Sequence, residues 1–169
     1  MLLTQLMLHC SCRHGGSDWT KEDQMKVIEH VTEIGAPVEA VWDVLVDAAR
    51  YVEWNPFLTL TATPERVGQR LSVTIRAGKR TMTFAPVVTV FEQGRSICWA
   101  GKFLVPGLFD GAHELHLERI DSRRCQLTHR ETFRGALVPF MGAVLRDTDA
   151  GFVAMNAALT TRAEHEMMA

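Results

Sequence analysis

The amino-acid sequence predicts an α+β domain, in which a curved antiparallel sheet of about seven strands wraps one long C-terminal helix and two short helices follow the first strand. Three patterns carry this. From Phe57 to Arg134 the hydrophobic period is two, the signature of strands with one buried face. From Met141 onward apolar residues return at steps of three and four, which is helical. Between Ala36 and Glu53 a short helical stretch separates the first strand from the rest.

The elements follow in order. Residues 1–24 hold Gly15-Gly16-Ser17-Asp18 without sustained periodicity and read as a poorly ordered extension, so the domain is expected over 25–169. Met25 to Ile34 reads as a strand whose apolar content is Val27, Ile28, Val31 and Ile34. Pro37 suits a first helical turn, where its missing N–H would have no partner, and Glu39 favours the positive helix end. Val38, Val41, Trp42 and Leu45 then give one buried helical face. A second short helix is expected over Ala48 to Glu53, ended by Pro56, which pushes Asn55 out of the helical region.

Turn chemistry sets the hairpin registers, because opposed residues must share a face. A two-residue turn at Gly78-Lys79 opposes Ile75 with Met82 and Val73 with Phe84. A two-residue turn at Gln93-Gly94 opposes Val90 with Ile97 and Val88 with Trp99, leaving Val87 and Phe91 outward. In the last hairpin, parity requires a three-residue loop at Asp121-Ser122-Arg123. This opposes Leu117 with Leu127, Leu115 with His129, and His113 with Glu131, and turns Glu114, His116, Glu118, Arg124, Arg130 and Arg134 outward. His113, His129 and Glu131 therefore lie on the inward face of an apolar sheet. The stripe Met141, Leu145, Thr148, Phe152, Met155, Leu159 predicts a helix of about 25 residues, roughly 38 Å long. Its partner is the concave sheet face.

Composition narrows the function. A chain of 169 residues with 47% hydrophobic and 22% charged residues is the size and make-up of one globular domain. A net charge of −2 supplies no basic face for nucleic acid or an anionic membrane. No apolar run approaches a membrane span, so no membrane insertion is expected. Met1 to Leu8 lacks the basic start and cleavage site of a signal peptide. The cysteines Cys10, Cys12, Cys98 and Cys125 suit a reducing cytoplasm rather than a disulfide scaffold. Cys10 and Cys12, flanked by His9 and His14, lack the usual zinc spacing, and neither metal nor cofactor is expected. Phosphate loops, nucleophile elbows and dinucleotide fingerprints do not occur.

Several segments together resemble the SRPBCC superfamily: Ile34-Gly35-Ala36-Pro37-Val38-Glu39-Ala40-Val41-Trp42-Asp43-Val44-Leu45 with Asp47, Trp54-Asn55-Pro56-Phe57, Trp99-Ala100-Gly101, Phe109-Asp110-Gly111-Ala112-His113-Glu114-Leu115, Glu131-Thr132-Phe133-Arg134-Gly135 and Phe152-Val153-Ala154-Met155-Asn156-Ala157-Ala158-Leu159. That group includes START domains, birch-pollen-allergen-like proteins and polyketide cyclase/dehydrase-like proteins, and the likeness covers about residues 25 to 166. It implies a helix-grip fold with a deep apolar cavity between sheet and C-terminal helix, used for lipids, hormones, polyketides and aromatic compounds. The cysteine and histidine pattern of a Rieske domain is missing.

The expected function is binding of a small hydrophobic or aromatic, partly polar ligand in a cavity of a few hundred cubic ångströms, by a monomer or homodimer. Candidate ligand-binding residues are Trp54, Phe84, Trp99, Gly101, Phe103, His113, Leu115, His129, Glu131, Phe152 and Met155. Trp42 reads as core, and Arg76 and Arg162 as solvated or as guards of the cavity mouth. A second reading is a cyclase or dehydratase with His113 or His129 as general base and Glu131 fixing its tautomer. Against the catalytic reading stands a polar cluster that orients a bound ligand or satisfies itself. Two histidines and a carboxylate also match a known metal ligand set. A third reading is an interaction module resembling chaperone activators, which needs an exposed apolar patch.

Overall fold

The computed structural model describes residues 25–78, 80–102 and 105–167. The expected extension over 1–24, with Cys10 and Cys12, lies outside the described residues, as do Lys79 and Phe103. Strand β1 (Met25–Ile34) leads into α1 (Val38–Val46), a 3₁₀ turn at Ala48–Arg50 and α2 (Tyr51–Trp54). Seven further strands follow: β2 (Leu58–Leu60), β3 (Val73–Ala77), β4 (Arg80–Phe84), β5 (Val87–Glu92), β6 (Ser96–Lys102), β7 (Asp110–Arg119) and β8 (Cys125–Arg134). The chain ends in α3 (Gly142–Glu166), 25 residues long. The fold is the α+β helix grip, with eight strands among the described residues rather than about seven.

The strands form two antiparallel ladders, one ordered β1-β8-β7-β6-β5 and the other β2-β3-β4. A bridge between Arg70 and Val87 and the bond from Leu71 N–H to the Pro86 carbonyl join them at the start of β5. Helix α3 lies across the inner face, against β1, β3 and α1. It buries Thr148, Phe152, Met155, Asn156, Leu159 and Ala163, while Met141 and Leu145, at the start of the expected stripe, stay half-buried. Val41, Trp42 and Leu45 of α1 close the core beside it.

Two of the three hairpin registers agree with turn parity. Ile75 faces Met82 and Val73 faces Phe84. Leu117 faces Leu127, Leu115 faces His129 and His113 faces Glu131. The β5–β6 hairpin differs. Its loop has three residues, Gln93-Gly94-Arg95, with Gly94 at φ +73°, and a bulge between Val88 and Val90 absorbs the extra residue. Val88 still faces Trp99, but Phe91, not Val90, faces Ile97. The bulge reverses parity, so Phe91 turns inward onto Trp42, with ring centroids 5.7 Å apart.

Strand β1 also departs from its apolar count. Ile28, His30 and Thr32 face the interior half-buried and Ile34 is fully buried, whereas Val27 and Val31 are exposed. On the outer face Arg130 pairs with Glu29 and Arg124 with Glu33.

Candidate functional site

The inner face of the sheet is ordered in rows across β6, β7 and β8. One row is Gly101, Gly111 and Phe133, and the next is Trp99, His113 and Glu131. Then come Ile97, Leu115 and His129, and after them Leu117 and Leu127. Strand β7 therefore passes from a gap at Gly111, through His113, to solid core at Leu115 and Leu117.

The gap is a pocket of about 100 Å³, partly open to solvent. Phe57, Val73, Ile75, Met82 and Phe84 wall it on the β2–β4 side, and Val144 and Thr148 of α3 close it from above. At its floor are the two glycines, Trp99, His113, Glu131 and Phe133. Glycine at 111 leaves room for the Glu131 carboxyl: a Cβ there would come 2.7 Å from Glu131 Oε1 and force it to shift. The volume is smaller than the few hundred cubic ångströms expected, since Phe57, Phe109 and Phe133 fill part of the space that the row of glycines leaves.

Of the predicted ligand-binding residues, Phe84, Trp99, Gly101, His113 and Glu131 line this pocket. Leu115, Phe152 and Met155 do not; each is essentially inaccessible, packed between sheet and α3. Trp54 packs on Tyr51 instead, at 4.9 Å between centroids. Arg162 is tied to Glu53 and Glu166, and Arg76 is exposed; neither lines the pocket.

Behind the floor runs a chain of polar contacts. Glu131 Oε2 and His113 Nδ1 are 2.8 Å apart, and the two histidines meet through their Nε2 atoms at 3.1 Å. His129 Nδ1 is 2.7 Å from Asn156 Oδ1, and Asn156 Nδ2 donates to Thr32 Oγ1 at 3.0 Å. The rings are clamped: His113 stacks on Trp99 at 4.4 Å and His129 on Phe152 at 3.5 Å. His129 is fully buried and reaches the pocket through His113 alone along this chain. Asn156 and Thr32 escaped the sequence reading, though each left a signal. Asn156 stands four residues after Phe152 on the same helical face, and Thr32 shares the strand parity of Ile28 and Ile34.

Burial sets the proton affinities. Removal from water pushes His113 down to about 3. It holds His129 well below the usual imidazole range, with His113 and His30 adding to the effect and the Asn156 bond opposing it. It pushes Glu131 up to about 8. His30 lies outside this chain, 2.8 Å from Asp149. Among the described residues no group of three or more histidines, cysteines or carboxylates is arranged to hold a metal ion. No helix among them is long and apolar enough to cross a membrane.

Residues 25–164 match the family described as polyketide cyclase / dehydrase and lipid transport. No curated protein matches the chain by sequence. Among solved structures, the Zhui aromatase/cyclase from Streptomyces sp. R1128 superposes with a TM-score of 0.70 at 19% identity, over 85% of this chain and 96% of that one. Ara h 8.0201 does so with a TM-score of 0.64 at 13% identity, over 83% and 99%. Norcoclaurine synthase from Thalictrum flavum, in complex with dopamine and hydroxybenzaldehyde, gives 0.61 at 16% identity, over 81% and 85%. At these identities the likeness is one of fold.

Proposed function

We propose that this chain, which belongs to the polyketide cyclase / dehydrase and lipid transport family, binds a small, mostly apolar ligand of about one ring in the pocket between sheet and α3. The ligand's polar group would rest against Glu131 and His113. The observation that supports this most is the pocket's make-up: mostly apolar walls over a buried polar pair at the floor, with Thr148 and the exposed Lys102 as the other polar residues of the lining. Such pockets bind through apolar contact and orient through a few polar groups. Native mass spectrometry and displacement of a polarity-sensitive dye by single-ring aromatic compounds test it. Saturable displacement is expected, and failure of every such compound to enter contradicts it.

A second reading, an enzyme of cyclase or dehydratase type, is favoured by the position of Glu131. A carboxyl held near 8 in a pocket wall and bonded to an imidazole suits acid–base work near neutral pH. His113, at about 3, is a weak base, and His129 is buried behind it, so the reading moves the acid–base role from the histidines to Glu131. Two structures of this fold are of an aromatase/cyclase and a norcoclaurine synthase, which is consistent with such a use of the pocket. Glu131→Gln is then expected to lower turnover of an identified substrate about a hundredfold or more. Unchanged turnover in both Glu131→Gln and His113→Ala contradicts the reading.

A further inference from the structure

The polar chain behind the floor leaves few choices for its protons. Asn156 Nδ2 donates to Thr32, so its oxygen faces His129, and His129 Nδ1 must carry a hydrogen. A neutral His129 then presents a bare Nε2, and the hydrogen between the two rings belongs to His113 Nε2. A neutral His113 in turn presents a bare Nδ1 to Glu131, and the hydrogen in that last bond belongs to the carboxyl group.

We propose that Thr32, Asn156, His129 and His113 form a proton-ordered chain that holds Glu131 as a neutral carboxylic acid, so that the pocket selects a neutral ligand carrying a hydroxyl donor and rejects a carboxylate. Asn156 is the positioning residue of this device, and Glu131 is the group that meets the ligand. The Glu131 hydroxyl is committed to His113, which leaves Oε1, on the Gly111 side, as an acceptor. Lys102, the one cation in the pocket lining, follows the inward Gly101 on β6 and is exposed, so it offers no partner at the floor. A ligand carboxylate there would meet that oxygen with lone pairs on both sides and with two neutral imidazoles behind, and a buried charge without a partner is costly. A phenol or alcohol supplies the missing hydrogen.

Besides an imidazolium–carboxylate pair of His113 and Glu131, which the burial of both groups disfavours, one other complete arrangement exists. With the Asn156 amide reversed and Thr32 donating, every bond turns round, and His113 Nδ1–H donates to an ionised Glu131. The two differ by a single proton on Glu131. Burial favours the first, as the raised affinity of Glu131 for its proton indicates.

This inference rests on the pocket-binding reading, and two measurements separate their failures. Long-range ¹H–¹⁵N spectra of the histidine rings in the unliganded protein at neutral pH are expected to show hydrogens on His129 Nδ1 and His113 Nε2, with the other two nitrogens bare. A hydrogen on His113 Nδ1, with or without one on His129 Nε2, would overturn the chain as drawn, whether or not anything binds. Calorimetric titrations with phenol, toluene and benzoate then test the selectivity. Phenol is expected to bind about three- to tenfold more tightly than toluene, the net worth of one hydrogen bond, and benzoate more weakly than either. Toluene equal to phenol, or benzoate the tightest, would overturn the donor preference. If none of the three binds, the pocket reading fails while the ring spectra still decide the proton order.

Discussion

The two ends of the space between sheet and α3 are built from the same strands and differ in what those strands carry. At one end Ile97, Leu115, Leu117 and Leu127 interlock with Leu45 and Leu159, all of them buried. At the other, Gly101 and Gly111 replace large side chains and leave the pocket. The histidines and Glu131 stand at the boundary, so their polar chain is also the back wall of the cavity. Stability is concentrated in the filled end, and recognition depends on what was left out of the open one.

The sharpest separation of the two ends is expected from Leu127→Ala. It opens a void in the filled end and is expected to cost about 2–5 kcal/mol in denaturant unfolding, while the affinity of a single-ring ligand changes little. Equal loss of binding and stability would mean that the ends are not separable. Gly151→Ala probes the contact of α3 with the pocket wall. The added Cβ would lie 2.1 Å from a ring carbon of Phe57, a pocket residue, so the ring must move. The expected cost is about 1–3 kcal/mol, with altered ligand binding.

The boundary has its own signature in pH. Glu131 keeps its proton in the folded state up to about 8 but loses it near 4.5 when unfolded. Between those values the folded state binds more protons, so this group makes stability fall as pH rises. His113, lowered to about 3, and His129, held well below the usual imidazole range by burial, act oppositely and make stability rise up to about 6.5. His30 of β1, bonded to Asp149 of α3, also faces His129. Stability is therefore expected to peak near pH 6.5 and to fall by about 2 kcal/mol towards pH 8. Glu131→Gln is expected to remove that alkaline limb; a limb unchanged in the variant assigns it to another group. Gly111→Ala has the smallest expected effect on stability, because the close atom is the end of a side chain that can shift at the cost of its His113 bond, yet it is expected to weaken ligand binding about tenfold by moving that carboxyl into the pocket.

Much of this plan was legible in the residues, for reasons that can be named. The tip at Asp121-Ser122-Arg123 fixes the parity of β7 against β8, and parity alone brings His113 opposite Glu131. The same logic failed at Gln93-Gly94 because a bulge costs one residue and leaves no compositional mark. In β1, Val27 and Val31 count as apolar content but point outward, and the inward places go to His30 and Thr32. Asn156 reads as an interruption in a hydrophobic stripe until its partner is known, since a buried amide is intelligible only through the group that it satisfies. The pocket's size was beyond reach from sequence. It depends on how far Phe57, Phe109 and Phe133 fill a gap that the glycines open, and that is decided by packing in three dimensions.

The central claim, that one end of this interior receives a ligand and the other does not, is open to a single measurement. Toluene is titrated into the protein while the ¹H–¹⁵N spectrum is followed at Trp99, which lines the pocket, and at Trp42, which packs on Phe91 at the filled end. Saturable shifts of the Trp99 indole, with Trp42 unmoved, are the expected result. A silent Trp99, or shifts at both tryptophans alike, would contradict it.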